Sequence, residues 1–469
     1  MMSTLHLRLG AMIGRRWLSL VTAVFALLYI RLMLQLASHF RGGTVSRRIS
    51  SAGRMVSDQL RSSNDEPDAN LTAFDLQVDY PLYLPSLPRF VDMSDRRTFA
   101  ADGENRAQFV LTPSYTAQFI GRVRVLSNAV VRLEHECSWK TSEVEFRRRD
   151  GEEASLTYAN KTLCPLLVPD GRTFQHFVDG VLPKLVQLLT AAPRVASTVD
   201  LFVLQRPRDA VVYELLDRVG VGRDRLLFVT PESWPPSRTI DARFLVDTCR
   251  TPSLHPRLLT RASHLLRACE HRNKCDYTRR RAERPTCCRH ADLEQTDVPD
   301  GEPAASTRRR VPSDVDGATT ANRSLVVLLS RRWSRNGGRR LLNENAVVEY
   351  LVGRYGHQRV VRFGDGLVNF ATASDVFSRA VVVVGVHGGA FYNVILAPAG
   401  CVVVELMPLV ITDHGRPPRR LAHTIVWRLA DALGHTYWRL YAETSSQRGD
   451  VTLSVDKLRL ALRSVTVPT

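Results

Sequence analysis

Residues 381–408 read VVVVGVHGGAFYNVILAPAGCVVVELMP. Two runs rich in β-branched residues, 381–384 and 401–405, flank a short helix-like stretch that opens at His387. Near-continuous apolar strands are covered on both faces, which is typical of a parallel sheet with helices above and below it. The stretch therefore predicts a strand–helix–strand unit of an α/β fold.

The turn His387-Gly388-Gly389 directly follows the first of these strands. Ligands of such sheets bind beyond the carboxyl ends of the strands, where glycines let backbone N–H groups approach an anion at a helix N-terminus. We therefore expect a phosphate or pyrophosphate site at this turn, with Glu405, at the end of the next strand, accepting hydrogen bonds from ribose hydroxyls. The alternative is a tight strand-to-helix connection that binds nothing.

Strands and helices alternate on both sides of a polar region. Strands are predicted at residues 122–133, 201–205, 226–229, 243–247, 325–329, 359–363 and 437–441, and helices at 176–189, 210–219, 256–269, 344–355, 370–379 and 419–433. The polar region, residues 272–323, holds many charges and several prolines but few large apolar side chains, which predicts a disordered insert. Two α/β halves joined by this insert are typical of doubly wound folds.

Three blocks of sequence carry residues suited to binding and catalysis. In chain order they are Gln175-His176-Phe177-Val178-Asp179 with Leu182-Pro183-Lys184-Leu185; Leu329-Ser330-Arg331-Arg332 with Arg335, Arg339-Arg340 and Asn343-Glu344; and His387-Gly388-Gly389-Ala390 with Asn393, Pro398, Gly400 and 404–408. In this order the blocks resemble the signature of glycosyltransferase family 61, which includes plant β-1,2-xylosyltransferases and N-acetylglucosaminyltransferases that act on proteins. The last block departs from the family's usual His-Gly-Ala-Gly at Ala390, where alanine disfavours a positive φ.

The resemblance implies a GT-B fold, in which two Rossmann-like domains face each other across a cleft and the C-terminal domain binds the nucleotide. It also implies an inverting glycosyltransferase that moves a sugar from a UDP-sugar donor to a hydroxyl of a glycan or glycoprotein, with no metal or other cofactor. Xylose and N-acetylglucosamine are the expected sugars, and no motif separates them. The alternative is a catalytically inactive, membrane-anchored sugar-binding or scaffold protein of the same fold, which the departure at Ala390 would favour.

Asp179 and His176 are the candidate catalytic residues. They lie three residues apart, so on a helix they share a face. Sugar transfer needs a base that takes the proton of the acceptor hydroxyl, and we predict Asp179 in this role, with His176 orienting it or binding the acceptor. The alternative is that the pair only holds its helix to a neighbouring loop.

The departing diphosphate needs positive charge, because the enzymes of this fold generally act without a metal. The residues predicted to bind the nucleotide sugar are Arg331, Arg335, His387, Gly388, Gly389 and Glu405. Arg332 and Arg339 are expected to be solvated loop charges. Asn343 and Glu344 are expected to cap the helix that follows them.

The formal net charge of +17 raises the possibility of a nucleic-acid partner. The cations are almost all arginines scattered along the chain, however, and no RNA-binding signature, zinc finger or heptad accompanies them. The pattern therefore disfavours nucleic acid as a partner. Arginine suits anionic sugar nucleotides through its planar fork of donors. The Asp-x-Asp of metal-dependent transferases occurs only inside the predicted insert, at Asp314-Val315-Asp316.

The N-terminal region predicts that the protein enters the secretory pathway. Residues 17–38 are predominantly apolar and follow Arg15 and Arg16, which predicts a signal anchor with a cytosolic tail at 1–16. A cleaved signal peptide is the alternative. We expect a stem at 39–75, an N-terminal acceptor-side domain at 76–271 and a C-terminal nucleotide-sugar domain at 324–469. The protein would then be a single-pass type II protein of the Golgi or endoplasmic reticulum membrane, with its catalytic domain in the lumen.

The N-glycosylation sequons and the cysteines agree with a location in the secretory pathway. Acceptor triplets for N-glycosylation begin at Asn70, Asn160 and Asn322. The 8 cysteines form an even set, as disulfides of an oxidising compartment would. Cys137 and Cys164 are candidates for a bridge, whereas Cys401, in a predicted buried strand, is expected to be a free thiol.

Overall fold

The computed structural model describes residues 72–101, 119–127, 129–132, 147–148, 156–168, 170–229, 239–268, 323–332, 339–364, 369–410, 424–444, 446 and 449–467. All of these fall within a single compact unit of the chain. The predicted tail and anchor, the stem up to residue 71, the insert up to residue 322, Arg335, Asn70 and Asn322 lie outside the described residues. No helix among those described has both the length and the apolar character to cross a bilayer.

A mixed sheet forms the first half of this unit. Its strands are β1 (Thr72–Tyr80), β2 (Phe119–Ser127), β3 (Ala129–Arg132), β4 (Arg147–Arg148), β5 (Leu156–Pro165), β6 (Leu201–Gln205), β7 (Leu226–Val229) and β8 (Thr239–Asp247). The described strands run in the order β1-β2-β8-β5-β6-β7, with β3 and β4 branching from β8. Strands β8, β5, β6 and β7 are parallel, whereas β1 and β2 are antiparallel to their neighbours.

Helices of the first half connect these strands. They are α1 (Met93–Ala101), α2 (Leu182–Ala191), α3 (Pro193–Thr198), α4 (Ala210–Arg218) and α5 (Pro256–Ala268). A helical turn, Phe174–His176, and a π-helical segment, Phe177–Val181, lead directly into α2.

The second half holds a fully parallel sheet. Its strands are β9 (Leu325–Leu329), β10 (Val360–Phe363), β11 (Ala380–Val386), β12 (Val402–Val410) and β13 (Thr436–Thr444), and its helices are α6 (Glu344–Tyr355), α7 (Phe370–Ser378), α8 (Ile425–Ala432) and α9 (Val455–Leu462). A 3₁₀ helix, Gly389–Leu396, joins β11 to β12. The strand order is β10-β9-β11-β12-β13. The order reverses between β9 and β11, which makes this pair the switch point of a doubly wound sheet.

Strands β9 and β11 are buried almost throughout, as their valine- and leucine-rich sequences predict. Side chains of one face, such as Val326, Leu328, Val382 and Val384, form a single core with helices α6 and α9. Because side chains alternate along a strand, the intervening residues face the other side. Helices α7 and α8 contact β9 and β13 respectively. The predicted α/β class is thus confirmed.

Residues 89–101, which follow β1 in the chain, pack on the second sheet. Arg89 forms a parallel bridge with Trp438 on β13. Helix α1 contacts β13, and Asp95 near its start pairs with Lys457 of α9 at 2.8 Å. Residues early in the chain therefore contribute to the outer edge of the second sheet.

The sequence located most of these elements. Strands β6, β7 and β9 and helix α6 agree with the predicted ranges at both ends. The predictions missed β1, β4, β5, α1, α3 and α9. Strand β1 begins at Thr72, inside the expected stem, and alternates exposed polar residues with partly buried Phe74, Leu76 and Val78, as a half-buried strand should.

Two cysteines described in the structure are free, and both are buried. Cys401 is a free thiol, as predicted. Cys164 is also free, so the expected bridge with Cys137 is wrong. It lies in β5, between β8 and β6, and is fully buried in the sheet. Cys249, directly after β8, is disulfide-bonded.

A buried histidine follows helix α8. Nε2 of His435 donates to the carbonyl oxygen of Val394 at 3.1 Å. Burial lowers the pKa of His435 from 6.5 to about 4, and the charges of Arg267 and Arg323 act in the same direction. The folded protein therefore holds this ring neutral across a range in which an exposed histidine becomes charged.

Acidification from pH 6.5 to pH 4 should destabilise the protein through His435. In this range the unfolded chain binds a proton that the folded protein excludes, so unfolding becomes easier as the pH falls. We predict a loss of about 3 kcal/mol in the free energy of unfolding from this residue. His435→Gln retains a donor for the carbonyl of Val394 but cannot take up this proton. Chemical denaturation of His435→Gln should therefore show a smaller loss of unfolding free energy between pH 6.5 and pH 4. The control His357→Gln, at an exposed position, should show the same loss as wild type. Equal pH dependence of wild type and His435→Gln would contradict the prediction.

Candidate active site

A cavity of about 1220 Å³ lies where strands of both sheets end. The residues that line it are Asp170, Thr173, Phe174, Gln175, His176, Arg208, Asp209, Arg331, Arg339, His387, Gly388, Gly389, Ala390, Tyr392, Ile425 and Val426. Apart from Ile425 and Val426 at the start of α8, the lining residues follow the carboxyl ends of β5 and β6 in the first half and of β9 and β11 in the second. Because β9 and β11 flank the switch point, this is where a doubly wound sheet binds its ligand.

Two arginines converge on the turn after β11. Nη1 of Arg331 donates to the carbonyl oxygen of His387 at 3.2 Å, and Nη1 of Arg339 donates to the same oxygen at 3.1 Å. Burial lowers the pKa of Arg331, and the neighbouring charge of Arg339 lowers it further. Two guanidinium groups at one carbonyl oxygen repel each other, so an anion bound between them would be strongly favoured.

Position 388 requires glycine because a side chain would not fit there, and not because of the backbone conformation. Its φ of 165° is extended backbone that any residue adopts. A Cβ atom at this position, however, would lie 2.0 Å from Nη1 of Arg331. A Cβ at Gly389 would lie 3.0 Å from Oε1 of Gln175, which reaches across from the first half. The glycines therefore let side chains from two different blocks approach the turn.

Ala390 does not adopt a positive φ. The departure from the family's usual fourth glycine therefore creates no backbone strain at this position. The departure at Ala390 therefore no longer favours the alternative of a catalytically inactive protein.

His387 is held by a buried carboxylate. Its Nδ1 lies 2.6 Å from Oε1 of Glu405, whose Oε2 accepts a hydrogen bond from Tyr437 and lies 3.6 Å from Arg439. Burial by itself raises the pKa of Glu405, but His387, Arg439 and Tyr437 outweigh it and lower that pKa below its ordinary value. An ionised Glu405 accepts from Nδ1–H of His387, which fixes the ring at the cavity wall.

The predicted contact between Glu405 and ribose hydroxyls does not agree with the structure. The Glu405 side chain is fully buried, and protein groups approach both of its oxygens. The Glu405 carboxylate instead contacts His387 and two residues of the neighbouring strand β13, Tyr437 and Arg439. It can act on a ligand only through His387.

His176 and Asp179 lie on the opposite wall, in the segment that leads into α2. Nδ1 of His176 is 3.6 Å from Oδ1 of Asp179, an ion-pair separation that is slightly long for a hydrogen bond. Asp179 belongs to the π-helical segment, a distortion that is frequent at functional sites. Thr173 caps the preceding turn by accepting a hydrogen bond from the backbone N–H of His176 at 3.5 Å. Tyr392, from the second half, donates to Oδ2 of Asp179 at 2.5 Å.

The two residues differ in their access to the cavity. The side chain of His176 is 28% exposed and lines the cavity, whereas that of Asp179 is 3% exposed and lies behind it. Burial raises the pKa of Asp179 against the influence of His176 and Tyr392, and the Asp179 carboxylate raises the pKa of His176. Of the two residues, His176 is therefore the one whose side chain reaches the cavity.

The remaining predictions on the second block have mixed outcomes. Arg332 is exposed at the surface, as expected. Arg339 was expected to be solvated but lines the cavity. Asn343 makes no side-chain cap, and its amide instead pairs with the backbone of Leu453 before α9. Glu344 is buried at the start of α6. It accepts a hydrogen bond at 3.0 Å from Ser330, the residue directly before Arg331.

Sequence reasoning missed Tyr392 and Arg339 as parts of the site. Arg339 adopts a φ of 57° directly after Gly337-Gly338, so the glycine pair was a signal for an unusual turn. Tyr392 left no comparable signal, since a tyrosine amid apolar residues also fits a plain core position.

The profile of the family described as Glycosyltransferase 61 matches residues 174–404. This stretch begins beside His176 and ends one residue before Glu405, so it contains both walls of the cavity apart from a few lining residues. Residues 174–404 belong to the glycosyltransferase 61 family, as the three sequence blocks predicted, and the protein is a glycosyltransferase. A search among curated proteins gave no match.

Gly388→Ala should weaken the binding of pyrophosphate, because the new methyl group would displace Arg331 from the turn. We predict a loss of about tenfold or more, since a hydrogen bond to a charged group contributes that much. Titration calorimetry with pyrophosphate measures the effect. Gly353→Ala, in helix α6 with open space around it, is the matched control and should bind as wild type does. Unchanged affinity in Gly388→Ala would place the anion elsewhere.

Proposed function

We propose that the protein transfers a sugar from a UDP-sugar donor to a hydroxyl of a glycan or glycoprotein, with inversion at the anomeric carbon. The observation that carries this proposal is a single cavity with convergent cations on one wall and a histidine–aspartate pair on the other. The first wall suits a departing diphosphate. The second suits a hydroxyl that must lose its proton.

The leaving group would be stabilised by the second half. Arg331 and Arg339 stand beside the carbonyl oxygen of His387, and the imidazole of His387 is backed by Glu405. Fixed donors of this kind stabilise negative charge that develops in the transition state, at no cost of reorganisation. Arg335, which lies outside the described residues, stays a prediction for this role.

The base would be His176. The acceptor hydroxyl would give its proton to the ring as the oxygen attacks the anomeric carbon, while the bond from that carbon to the diphosphate breaks. Asp179 would hold the ring and stabilise the imidazolium that forms. Attack from the side opposite the leaving group inverts the configuration, which agrees with a base and a diphosphate site on opposite walls.

The overall architecture that this proposal requires is GT-B, with an acceptor-side domain at 76–271 and a nucleotide-sugar domain at 324–469. The parallel sheet with its switch point supports the second domain. The mixed sheet, with four parallel strands beside the cavity, supports the first. The donor sugar stays open between xylose and N-acetylglucosamine.

A screen of UDP-sugars with the purified protein tests the function. We expect UDP release with one donor, stimulated by a glycan or glycoprotein acceptor. No UDP release with any donor, in protein that binds pyrophosphate, would overturn the proposal.

His176→Gln and Asp179→Asn should separate the base from its partner. Since a base acts when deprotonated and Asp179 raises the pKa of His176 above 6.5, activity of the wild type should rise with pH through a value above 6.5. His176→Gln should lower turnover by about 10²–10⁴ and remove this rise. Asp179→Asn should keep the rise but move it to lower pH. If His176→Gln keeps the rise and Asp179→Asn loses it, Asp179 is the base.

We further propose that the protein is a single-pass type II protein of the Golgi or endoplasmic reticulum membrane, anchored by residues 17–38. The apolar N-terminal run supports this, as does the exposed position of Asn160 on β5. The partners would then be the donor, a glycan or glycoprotein acceptor and the membrane.

Asn160→Gln should reduce the mass of protein made in secretory cells by one N-glycan. Gel mobility before and after treatment with an N-glycan-removing enzyme measures this, and exposed Asn345→Gln, which is not in a sequon, serves as control. The catalytic part should also resist protease in sealed microsomes. Digestion there would refute the topology.

A further inference from the structure

Tyr392 connects the two walls of the cavity. It lies in the 3₁₀ helix Gly389–Leu396, which starts at the glycine turn of the second half. Its hydroxyl donates to Oδ2 of Asp179, which lies 213 residues earlier in the chain, at 2.5 Å. The tyrosine is 2% exposed, so this hydrogen bond is shielded from water.

The geometry of the 3₁₀ helix places two contacts on one side. Residues three apart in such a helix are eclipsed, and Gly389 and Tyr392 are three apart. Gly389 is approached by Gln175, and Tyr392 contacts Asp179, so this side of the helix faces the segment of the first half that carries His176. A single turn of backbone thus joins the arginine-lined turn to the histidine–aspartate pair.

Asp179 depends on this hydroxyl. The Tyr392 hydroxyl donates to Oδ2, whereas Oδ1 has no partner within hydrogen-bond distance among the described residues. His176 lies 3.6 Å from Oδ1, and the charge of buried Lys184 also lowers the pKa of this carboxyl. A buried carboxylate without donors tends to take up a proton and become neutral. A neutral Asp179 would neither stabilise a charged His176 nor hold its ring by charge.

We propose that Tyr392 is a positioning residue of the transfer reaction, which keeps Asp179 ionised and thereby sets the basicity and orientation of His176. The proposal rests on the proposed function, in which His176 is the base. A purely structural role, in which Tyr392 only latches the two halves together, is the alternative that the experiment must separate.

Tyr392→Phe in the full-length protein tests the proposal. The ring volume stays while the hydroxyl is removed, so Asp179 should lose its donor and retain a proton to higher pH. The pKa of His176, followed by NMR of ring-labelled histidine and assigned with His176→Gln, should fall by on the order of one unit. The rise of kcat/KM with pH should move in the same direction, and kcat should fall about tenfold. Tyr355→Phe, whose hydroxyl donates to Val465 far from the cavity, should change neither quantity.

A variant that retains the hydroxyl covers the case in which Tyr392→Phe does not fold. In 3-fluorotyrosine at position 392 the more acidic hydroxyl is a stronger donor, and the pKa of His176 should rise. An unchanged pKa of His176 in folded Tyr392→Phe, or in the fluorinated protein, would overturn the proposal, even if the melting temperature falls. The titration needs no sugar transfer, so a wild type that transfers nothing would refute the proposed function without affecting this measurement.

Discussion

Parallel pairing of β9 with β11 brings together two chain segments on which the rest of the site depends. Gly385 pairs with Leu329 at the carboxyl ends of these strands, so Arg331 emerges beside His387 although 56 residues separate them in the chain. A Cβ atom at Gly385 would lie 2.6 Å from that of Leu329. The pairing therefore requires a glycine inside a strand, where glycine is otherwise unfavourable.

The buried charges behind His387 follow from the next two strand pairings. Glu405 pairs in register with Gly385 on one side and with Arg439 on the other, so a carboxylate and a guanidinium lie together inside the protein. Removing such charges from water costs more than their attraction returns in many proteins, and apolar residues of similar size often serve stability equally well. The network is better explained by the histidine that it holds at the cavity wall, since charges with perturbed pKa values concentrate at functional sites.

The sequence predicted what depends on local patterns and missed what depends on distant contacts. Runs of valine and leucine located β9, β11 and β12, and the glycines marked the turn that both arginines approach. A helical period assigns His176 and Asp179 to one face, whereas in the structure the π-helical segment buries Asp179 and His176 lies at the surface of the cavity. Tyr392 could not be recognised, because its partner belongs to the other half of the fold.

The two walls of the cavity differ in the charge that they present to a ligand. On the second half Glu405 accepts a hydrogen bond from His387, but Nε of Arg331 is buried without a partner among the described residues, so its positive charge is left for a ligand. On the first half Asp179 places negative charge behind His176, which favours a proton on the ring. In the proposed transfer a proton moves toward the first wall while negative charge moves toward the second. Both changes are matched by charges already in place, and such charges stabilise the transition state more than the bound substrates.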